Sequence, residues 1–394
     1  MMSGSSHQFF NLMKKILLIY ILSFIFQIQL LPQDPGKITL NGYITSMQSV
    51  MFDSLKGNYI NQNMIHNRLN FKAYFNDNIT FGLEIRNRLF MGDMVKTNPW
   101  FATSTGFDPG VADLSWNLIN ERSVLLNTSI DRCWLDLNYG KVQVKLGRQR
   151  INWGQTLVWN PNDIFNAYSV FDFDYVERPG SDAIRIQYYP GTESTAEVAI
   201  KSDRDNKITA AGLYRFNRKS YDIQFFAGYF QGEDIVAGTG WSGSFGGISF
   251  RGEATWFQPA SHFSDTTGRG IFTTGFDKVL KDNSSVQLQI MYCNDPLKLT
   301  NFDSLYKGDL SSKDLAFSKF SAYGQYSYQA IPLLNIGVSG MWLPDLNGFF
   351  AGASVEYSVA ENLDVSFIWQ HFNTEVKASR SSINMCFLRM KWNF

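Results

Sequence analysis

The chain ends in Ser382–Phe394, SINMCFLRMKWNF, and this stretch decides the fold. From Cys386 to the carboxyl terminus every second residue is apolar, and polar residues such as Arg389 and Lys391 stand between them. Alternation with a period of two places one apolar and one polar row on opposite faces of a β-strand. A soluble domain has little reason to end inside such a strand on an aromatic residue, whereas the last strand of a closed barrel pairs with the first.

The same alternation recurs upstream, in segments of roughly ten residues separated by turn residues. In one example, Leu135 and Leu137 alternate with Trp134 and Asp136, and the turn residue Gly140 follows. Repeated segments of this kind are typical of a transmembrane antiparallel up-and-down β-barrel, an all-β fold. Closure is required because an open sheet edge in lipid leaves N–H and C=O groups without partners.

We count eighteen such segments, an even number, as both chain ends on one side of a barrel require; sixteen strands would also fit the pattern. The predicted strands are 37–52, 62–76, 78–92, 128–139, 141–151, 181–190, 194–202, 207–217, 219–231, 233–243, 246–258, 269–280, 283–294, 315–329, 332–343, 347–359, 361–373 and 382–394. Tight turns alternate with longer connections. The longer set includes 93–127, 152–180, 259–268, 295–314 and 374–381. This asymmetry is also typical of transmembrane barrels.

The amino-terminal segment predicts export. Lys14 and its lysine neighbour precede the apolar run Ile16–Leu31, which is the pattern of a secretory signal peptide. Met13 is the expected true start, so residues 1–33 are a signal peptide with an upstream extension. Residues 34–394 are then a single barrel domain.

Composition narrows the functional classes further. Lys and Arg number 35, and Asp and Glu also number 35, so the chain lacks the basic surface that a nucleic-acid-binding protein needs. Aromatic residues make up 15% of the chain, which fits rows of aromatic side chains at the two membrane interfaces. A soluble β-sandwich or propeller shares the alternation, but the signal peptide, the terminal aromatic and the aromatic rows count against it.

The polar rows would line the lumen of a barrel, and a barrel of 16–18 strands encloses an aqueous channel. The early strands are rich in cations, which predicts a positive field that favours anionic solutes. The alternative is a charge ladder in which Glu84 and Asp136 neutralise Arg86 and Arg132 across the strands. The predicted lumen-facing residues of this set are Arg68, Lys72, Arg86, Arg88, Arg132, Asp136 and Arg185.

The most distinctive sequence is Leu146–Gly180, LGRQRINWGQTLVWNPNDIFNAYSVFDFDYVERPG. Its aromatic residues make it too apolar for a solvated loop, so we expect residues 152–180 to fold into the barrel mouth and narrow it. Aromatic rings beside carboxylates and arginines suit sugars or small amphiphiles, and the alternative is a plug with no ligand preference. The predicted constriction consists of Trp153, Trp159, Asn160, Asp163, Phe171, Asp172, Asp174 and Arg178, with Arg148 and Arg150 at its base.

The direction of Arg148 and Arg150 stays open at this stage. Strict alternation sends both side chains to the outer face, where an arginine at the rim could contact lipid phosphate. A bulge at Gly147 would turn them inward.

Three short motifs carry a family resemblance: G-R-Q at 147–149, N-W-G at 152–154 and N-P-N-D at 160–163. Together with the terminal Phe394 they resemble the outer-membrane porin-like barrels of Gram-negative bacteria, a group that also resembles alginate-export and phosphate-selective porins. The resemblance implies a bacterial outer-membrane location, contact with outer-membrane lipid, and recognition of Phe394 by the barrel-assembly machinery. Because many porins are trimers, it also allows a homo-oligomer.

The predicted function is therefore a porin or channel for small hydrophilic solutes, anionic or sugar-like, through a water-filled lumen constricted by loop 152–180. No G-x-S-x-G or H-E-x-x-H motif, glycine-rich phosphate loop or His/Cys cluster occurs, so we expect no catalytic residue, metal or cofactor. The alternative is a barrel in a lipid or polysaccharide export or secretion complex. Such a conduit should have apolar inward rows and a lateral opening at a weak strand pair.

Overall fold

The computed structural model describes residues 37–168, 177–261, 263–298, 311–376 and 379–394. Its strands are β1 (Ile38–Phe52), β2 (Tyr59–Asn76), β3 (Ile79–Gly92), β4 (Ser115–Glu121), β5 (Val124–Tyr139), β6 (Val142–Gln149), β7 (Ser181–Gly191), β8 (Ser194–Ser202), β9 (Ile208–Arg218), β10 (Tyr221–Phe230), β11 (Asp234–Phe245), β12 (Ile248–Pro259), β13 (Arg269–Val279), β14 (Ser285–Cys293), β15 (Phe320–Ile331), β16 (Leu334–Leu343), β17 (Gly348–Ala360), β18 (Leu363–Val376) and β19 (Ser379–Asn393). Two short helices, α1 (Asp93–Thr97) and α2 (Phe101–Gly106), and two 3-10 turns, Ser312–Asp314 and Pro344–Leu346, complete the elements. None of the helices in the described ranges has the length and apolar character needed to cross a membrane.

The strands form one antiparallel sheet that closes on itself. β1 pairs with β2 on one edge and with β19 on the other, with Tyr43 opposite Asn393. The backbones of Gly42 and Phe394 exchange two hydrogen bonds of 2.9 Å, so the final residue takes part in the closure. β4 pairs only with β5, which leaves a closed barrel of eighteen strands in the described chain. The predicted count of eighteen is confirmed.

β4 is the strand that the sequence analysis missed. It lies in the long connection between β3 and β5 and pairs with the first residues of β5, while the later residues of β5 pair with β6. A β-bulge separates the two parts of β5, because Glu84 lies opposite Arg132 and Ile85 opposite Ile130, which leaves Asp131 as the extra residue. β4 and the start of β5 therefore form a hairpin that extends the barrel wall.

The two faces of the wall carry the predicted alternation. On β7 the large apolar residues Ile184, Ile186 and Tyr188 are exposed on the outside, and Arg185 and Gln187 alternate with them on the inside. A soluble sandwich would turn its apolar rows into a core between sheets. This barrel instead exposes its apolar rows around its circumference, which contradicts the alternative of a soluble β-sandwich.

The two ends of the barrel differ, and we call them the turn end and the loop end. At the turn end Gly246 and Gly247 form a two-residue hairpin with φ of 57° and 75°, a conformation that glycine adopts without steric cost. The longer connections, including those between β3 and β5 and between β6 and β7, lie at the loop end. The wall is uneven in height, because β2 has 18 residues and β6 has 8.

The interior is packed with side chains near the loop end. Residues 150–168, which we call the inner loop, leave β6 and fold inside the barrel against β8 to β14. Their buried apolar side chains share one core with inward residues of the wall such as Phe226, Phe257 and Ile271. Leu315 and Phe317, from the connection between β14 and β15, are buried at the same end. The predicted inward-folding loop is confirmed.

Candidate functional site

Asn166 closes the base of the inner loop. The Ile151 N–H donates to the Asn166 side-chain oxygen at 2.7 Å, and the Asn166 amide donates to the Pro179 carbonyl at 2.8 Å. The Ser181 hydroxyl, at the start of β7, donates to the Phe165 carbonyl at 2.7 Å. The chain entering the loop and the chain leaving it are thus held together by side-chain hydrogen bonds.

Trp153 anchors the loop to β8 and β10. Its ring is 1% exposed and packs edge-on against Phe165, with ring centres 4.9 Å apart. Its indole N–H donates to Glu197 Oε1 at 2.7 Å, and the Gln224 amide donates to its carbonyl at 2.6 Å. A buried indole N–H needs such a partner, and the wall supplies it.

Glu253 on β12 is the central anchor. Its fully buried carboxylate accepts hydrogen bonds from the backbone N–H of Thr156 at 2.7 Å and of Asn162 at 2.9 Å, and from the N–H of Gln155. The Thr156 hydroxyl also donates to it at 3.0 Å. Hydrogen bonds to a charged acceptor contribute about 1.5–3 kcal/mol each. One wall side chain therefore holds the turn of the inner loop.

Gln289 on β14 adds a matching pair of bonds. Its side-chain oxygen accepts from the Val158 N–H at 2.9 Å, and its amide donates to the Trp159 carbonyl at 3.2 Å. The Thr255 hydroxyl donates to the Asn162 side chain at 2.7 Å. We call the inner face of β8, β10, β12 and β14 the anchor wall, because it carries Glu197, Gln224, Glu253 and Gln289.

The opposite interior surface, which we call the arginine wall, is the inner face of β2, β3 and β5 with Arg68, Arg86, Arg88 and Arg132. Arg68 is fully buried and pairs with both Asp131 and Glu84. Asp131 is the bulged residue of β5, so the bulge supplies a carboxylate that a regular strand would have lacked. The predicted anion-attracting row is therefore neutralised in part.

The other arginines of this wall have mixed partners. Arg86 Nε donates to His66 at 3.2 Å, and Arg88 donates to Asn127 at 2.8 Å and to the Thr105 carbonyl at 2.9 Å. Arg132 donates to the carbonyls of Glu177 at 2.9 Å and Arg178 at 2.6 Å. The wall is thereby joined to the chain that returns to β7.

The ion pairs differ from the predicted charge ladder. Glu84 pairs with Arg68 rather than Arg86, and Asp136 pairs with Lys145 at 3.1 Å rather than with Arg132. Cations on the same strand, directly opposite and diagonally opposite all compete for each carboxylate, and alternation alone does not predict which of them pairs with it. Neutralisation occurs, but through other partners than those predicted.

Arg148 lies away from the lumen. The ladders of β6 run without a register shift through Gly147, so no bulge turns the side chain inward, although φ at Gly147 is 103°. Arg148 donates to Asp108 at 2.6 Å, to Asp182 at 2.7 Å and to the Ala112 carbonyl at 2.8 Å. It is covered by the connection between β3 and β5 and holds that connection against the rim, which corrects its predicted position at the base of the constriction.

Asp163 and Arg150 both belong to the inner loop, and each has buried polar atoms without a partner among the described residues. Asp163 is fully buried, and neither carboxylate oxygen has a hydrogen-bond donor among the described residues. Arg150 Nε is buried and has no acceptor there either. Burial raises the pKa of Asp163 to about 7; the charge of Arg150 opposes that rise, and the charge of Glu253 adds to it.

The remaining predicted residues fall into three groups. Trp159 and Asn160 are buried in the inner loop, so neither presents a free face to a solute. Lys72 is exposed on the inner face, whereas Arg185 is half-buried and donates to Gln187 at 2.6 Å; the Arg178 guanidinium lies over the Tyr168 ring. Phe171, Asp172 and Asp174 lie outside the described residues.

Sequence analysis missed most of the anchoring residues. Glu253 belongs to the polar rows and was expected to face the lumen, but nothing in its own strand marks it as a partner of the inner loop. Glu197, Gln224 and Gln289 are likewise ordinary inward polar residues by pattern.

One protein family matches part of this sequence. The family described as Protein of unknown function (DUF1302) matches residues 125–306. No curated protein sequence matches the chain.

Several solved barrels are similar over nearly the whole length. OccK9 (OpdG) of Pseudomonas aeruginosa has a TM-score of 0.59 at 12% identity, over 91% of this chain and 98% of that one. OccK8 (OprE) of the same organism has a TM-score of 0.58 at 9% identity, over 91% and 98%. OccAB4 of Acinetobacter baumannii has a TM-score of 0.56 at 12% identity, over 92% and 100%. The chain has the closed antiparallel barrel fold of these solved structures.

Proposed function

We propose that the chain is an outer-membrane channel, through which small hydrophilic solutes diffuse between the inner loop and the arginine wall. The observation that carries the proposal is an asymmetry of burial. The inner loop is sealed against the anchor wall by buried side chains, whereas charged and aromatic residues on the other side stay partly exposed. On the arginine wall these are Glu84, Arg88 and Trp134, and Arg150 and Arg178 are partly exposed at the two ends of the connection between β6 and β7; Arg68, Arg86 and Arg132 of the same wall are buried.

Several features support an outer-membrane location. The circumference carries exposed apolar side chains, as a barrel in lipid needs. Phe394 ends the strand that closes the barrel, where the barrel-assembly machinery would read it. The similar solved barrels are outer-membrane porins. The loop end would then face the exterior and the turn end the periplasm.

The charges along this path favour anionic solutes. Lys72, Arg150, Arg178 and Arg185 lie on or near it, and carboxylates such as Asp136 are already paired. A sugar-like solute receives less support, because the rings of Trp153 and Trp159 are buried in the loop. Charged side chains at a constriction set the selectivity of a pore, so anion preference is the expected property.

The export alternative draws on one observation. The inward residues of β10 to β17 near the loop end are apolar, as a lipid conduit would require. The inner loop and the segment with Leu315 and Phe317 cover these residues, however, and adjacent barrel strands are hydrogen-bonded throughout the described sheet. We therefore place the export function second.

Single-channel conductance in a planar bilayer tests the proposal, with the reversal potential measured under a potassium chloride gradient. We expect steady openings and a preference for chloride. Barrels that are folded, as heat-modifiable gel migration reports, but conduct no ions would contradict the channel and favour the export component. A preference for potassium would retain the channel and reject the anionic solute class.

A further inference from the structure

We propose that Asp163 and Arg150 form a proton-controlled charge pair beside the solute path, so that anion preference falls as the pH rises through neutrality. The inference rests on the proposed channel function and deepens it, because it names the residues that set selectivity and the condition that changes it.

The geometry of the pair is unusual for buried charges. Asp163 is fully buried and its two oxygens have no donor among the described residues, and the Nε of Arg150 has no acceptor there. Buried charges are ordinarily paired or hydrogen-bonded because their desolvation is costly. A buried carboxylate without a donor is favoured in its neutral form, so Asp163 can change protonation state while Arg150 in the same loop stays charged.

The other ionisable groups packed around the pair are engaged elsewhere. Glu253 on β12 accepts four hydrogen bonds from the loop, and Glu197 on β8 accepts from Trp153. Lys201, also on β8, donates to the Phe165 carbonyl at 2.8 Å.

The last two neighbours, Arg178 and Tyr168, are stacked on each other. The Asn160 amide also donates to the Tyr168 hydroxyl at 2.9 Å. Asp163 differs from Glu253, whose carboxylate is held by four donors, because neither of its oxygens has a donor among the described residues.

Protonation of Asp163 changes the charge beside the path by one unit. With the proton bound, Arg150 contributes an uncompensated positive charge; with the proton released, the carboxylate offsets it. Because burial raises the pKa of Asp163 to about 7, the change falls near neutral pH. Arg150 is partly exposed, so its charge acts on ions in the path.

The test is the reversal potential of the full chain in a planar bilayer from pH 5 to pH 9. For the wild type we expect the anion-to-cation permeability ratio to fall about fourfold between pH 6 and pH 8, since by Coulomb's law one charge at about 10 Å in water changes the anion and the cation permeability about twofold each, in opposite directions. Asp163→Asn should keep the high ratio throughout this range. Arg150→Gln should lower the ratio and move the transition to higher pH, because the cation that favours the ionised carboxylate is gone.

Asp222→Asn provides the matched control, since Asp222 is an exposed inward carboxylate of β10 near the turn end. It should retain the wild-type transition. A wild-type ratio that stays flat across pH 6 to pH 8, or a transition that survives in Asp163→Asn, would overturn the proposal.

A second measurement separates this proposal from the channel function. Tryptophan fluorescence of the barrel refolded in micelles reports on Trp153 and Trp159 in the inner loop whether or not ions pass. A transition near pH 7 in the wild type that is absent in Asp163→Asn supports the proton-controlled pair even if no conductance is found. Identical titration curves for the two proteins would reject it.

Discussion

The anchor wall and the arginine wall solve the problem of buried polar groups in different ways. On the anchor wall Glu253 and Gln289 bond to the backbone of the inner loop, so wall and loop satisfy each other and exclude water. On the arginine wall Arg68 bonds to carboxylates of its own wall, and several neighbouring side chains keep contact with water. One wall therefore holds a loop in place, and the other leaves Glu84 and Arg88 partly exposed to a solute.

The contrast between the walls also explains why the inner loop lies against one side of the barrel interior. Backbone donors and acceptors of the inner loop must be satisfied wherever it is buried. The wall that offers matching carboxylates and amides holds the loop, whereas the carboxylates of Glu84 and Asp131 on the arginine wall are already engaged by Arg68. The open path is accordingly expected on the arginine side.

The largest expected effect on the free energy of unfolding comes from substitution of Arg68 on the arginine wall. Arg68→Met leaves Asp131 and Glu84 without their buried partner, and breaking a buried pair in this way costs about 3–5 kcal/mol. The free energy of unfolding, measured by urea denaturation in micelles, should fall by that amount. Lys207→Met, which removes an exposed ion pair with Glu233, serves as the control and should change it little. Equal stability of Arg68→Met and wild type would show that the pair contributes nothing.

A smaller effect on stability, with a specific effect on the loop, is expected at Glu253. Glu253→Gln replaces an acceptor of four donors with an amide whose NH₂ group opposes them, and each buried donor left unsatisfied costs about 1–3 kcal/mol. The inner loop should detach from the anchor wall, and we expect larger, noisier conductance and faster proteolysis within residues 150–168.

The matched control for this change is Glu356→Gln, since Glu356 is half exposed and pairs with Arg389 at 3.5 Å. It should leave the conductance noise and the proteolysis pattern as in the wild type. If Glu253→Gln also left both unchanged, the anchoring role would be wrong.

The smallest expected effect is a pH dependence of the free energy of unfolding, and it arises from Asp163 in the inner loop between the two walls. The folded pKa of Asp163, about 7, lies above its ordinary value of 3.8. The folded state therefore binds the proton more tightly, and stability is greatest below about pH 4 and decreases as the pH rises through 7. Between pH 6 and pH 7.5 we expect a loss of about 1 kcal/mol in the free energy of unfolding. Asp163→Asn should remove this slope, and a slope that persists would point to another group.

Much of the fold could be predicted because it depends on local pattern. The alternation in Leu135 and Leu137 locates a strand and its outward face without knowledge of its neighbours. Strand number and the closing role of Ser382–Phe394 follow from counting such segments. β4 was not predicted because Leu118 is the extra residue of a register shift between Asn117 and Ile119, where the period of two is interrupted.

The site was less predictable for a physical reason. Residues 152–180 could be assigned to the interior from their aromatic content, and the structure bears this out for the described part. The partners of the loop could not be predicted, since Glu253 is 97 residues from Thr156 along the chain and only the closed barrel brings the two together. Arg148 shows the same limit, because its acceptor Asp108 comes from a connection with no recognisable pattern.

The amino-acid sequence by itself determined the strands, their outward apolar faces and the closed barrel, since each follows from the period of two and from the need to pair every strand edge. Tertiary structure alone decided which wall holds the inner loop, how Arg68 is neutralised, and that Asp163 has no donor among the residues that the structure describes. These outcomes depend on distances between strands remote in sequence. Hydrogen bonds and desolvation act over a few ångströms in space, and the order of residues along a chain does not specify those distances.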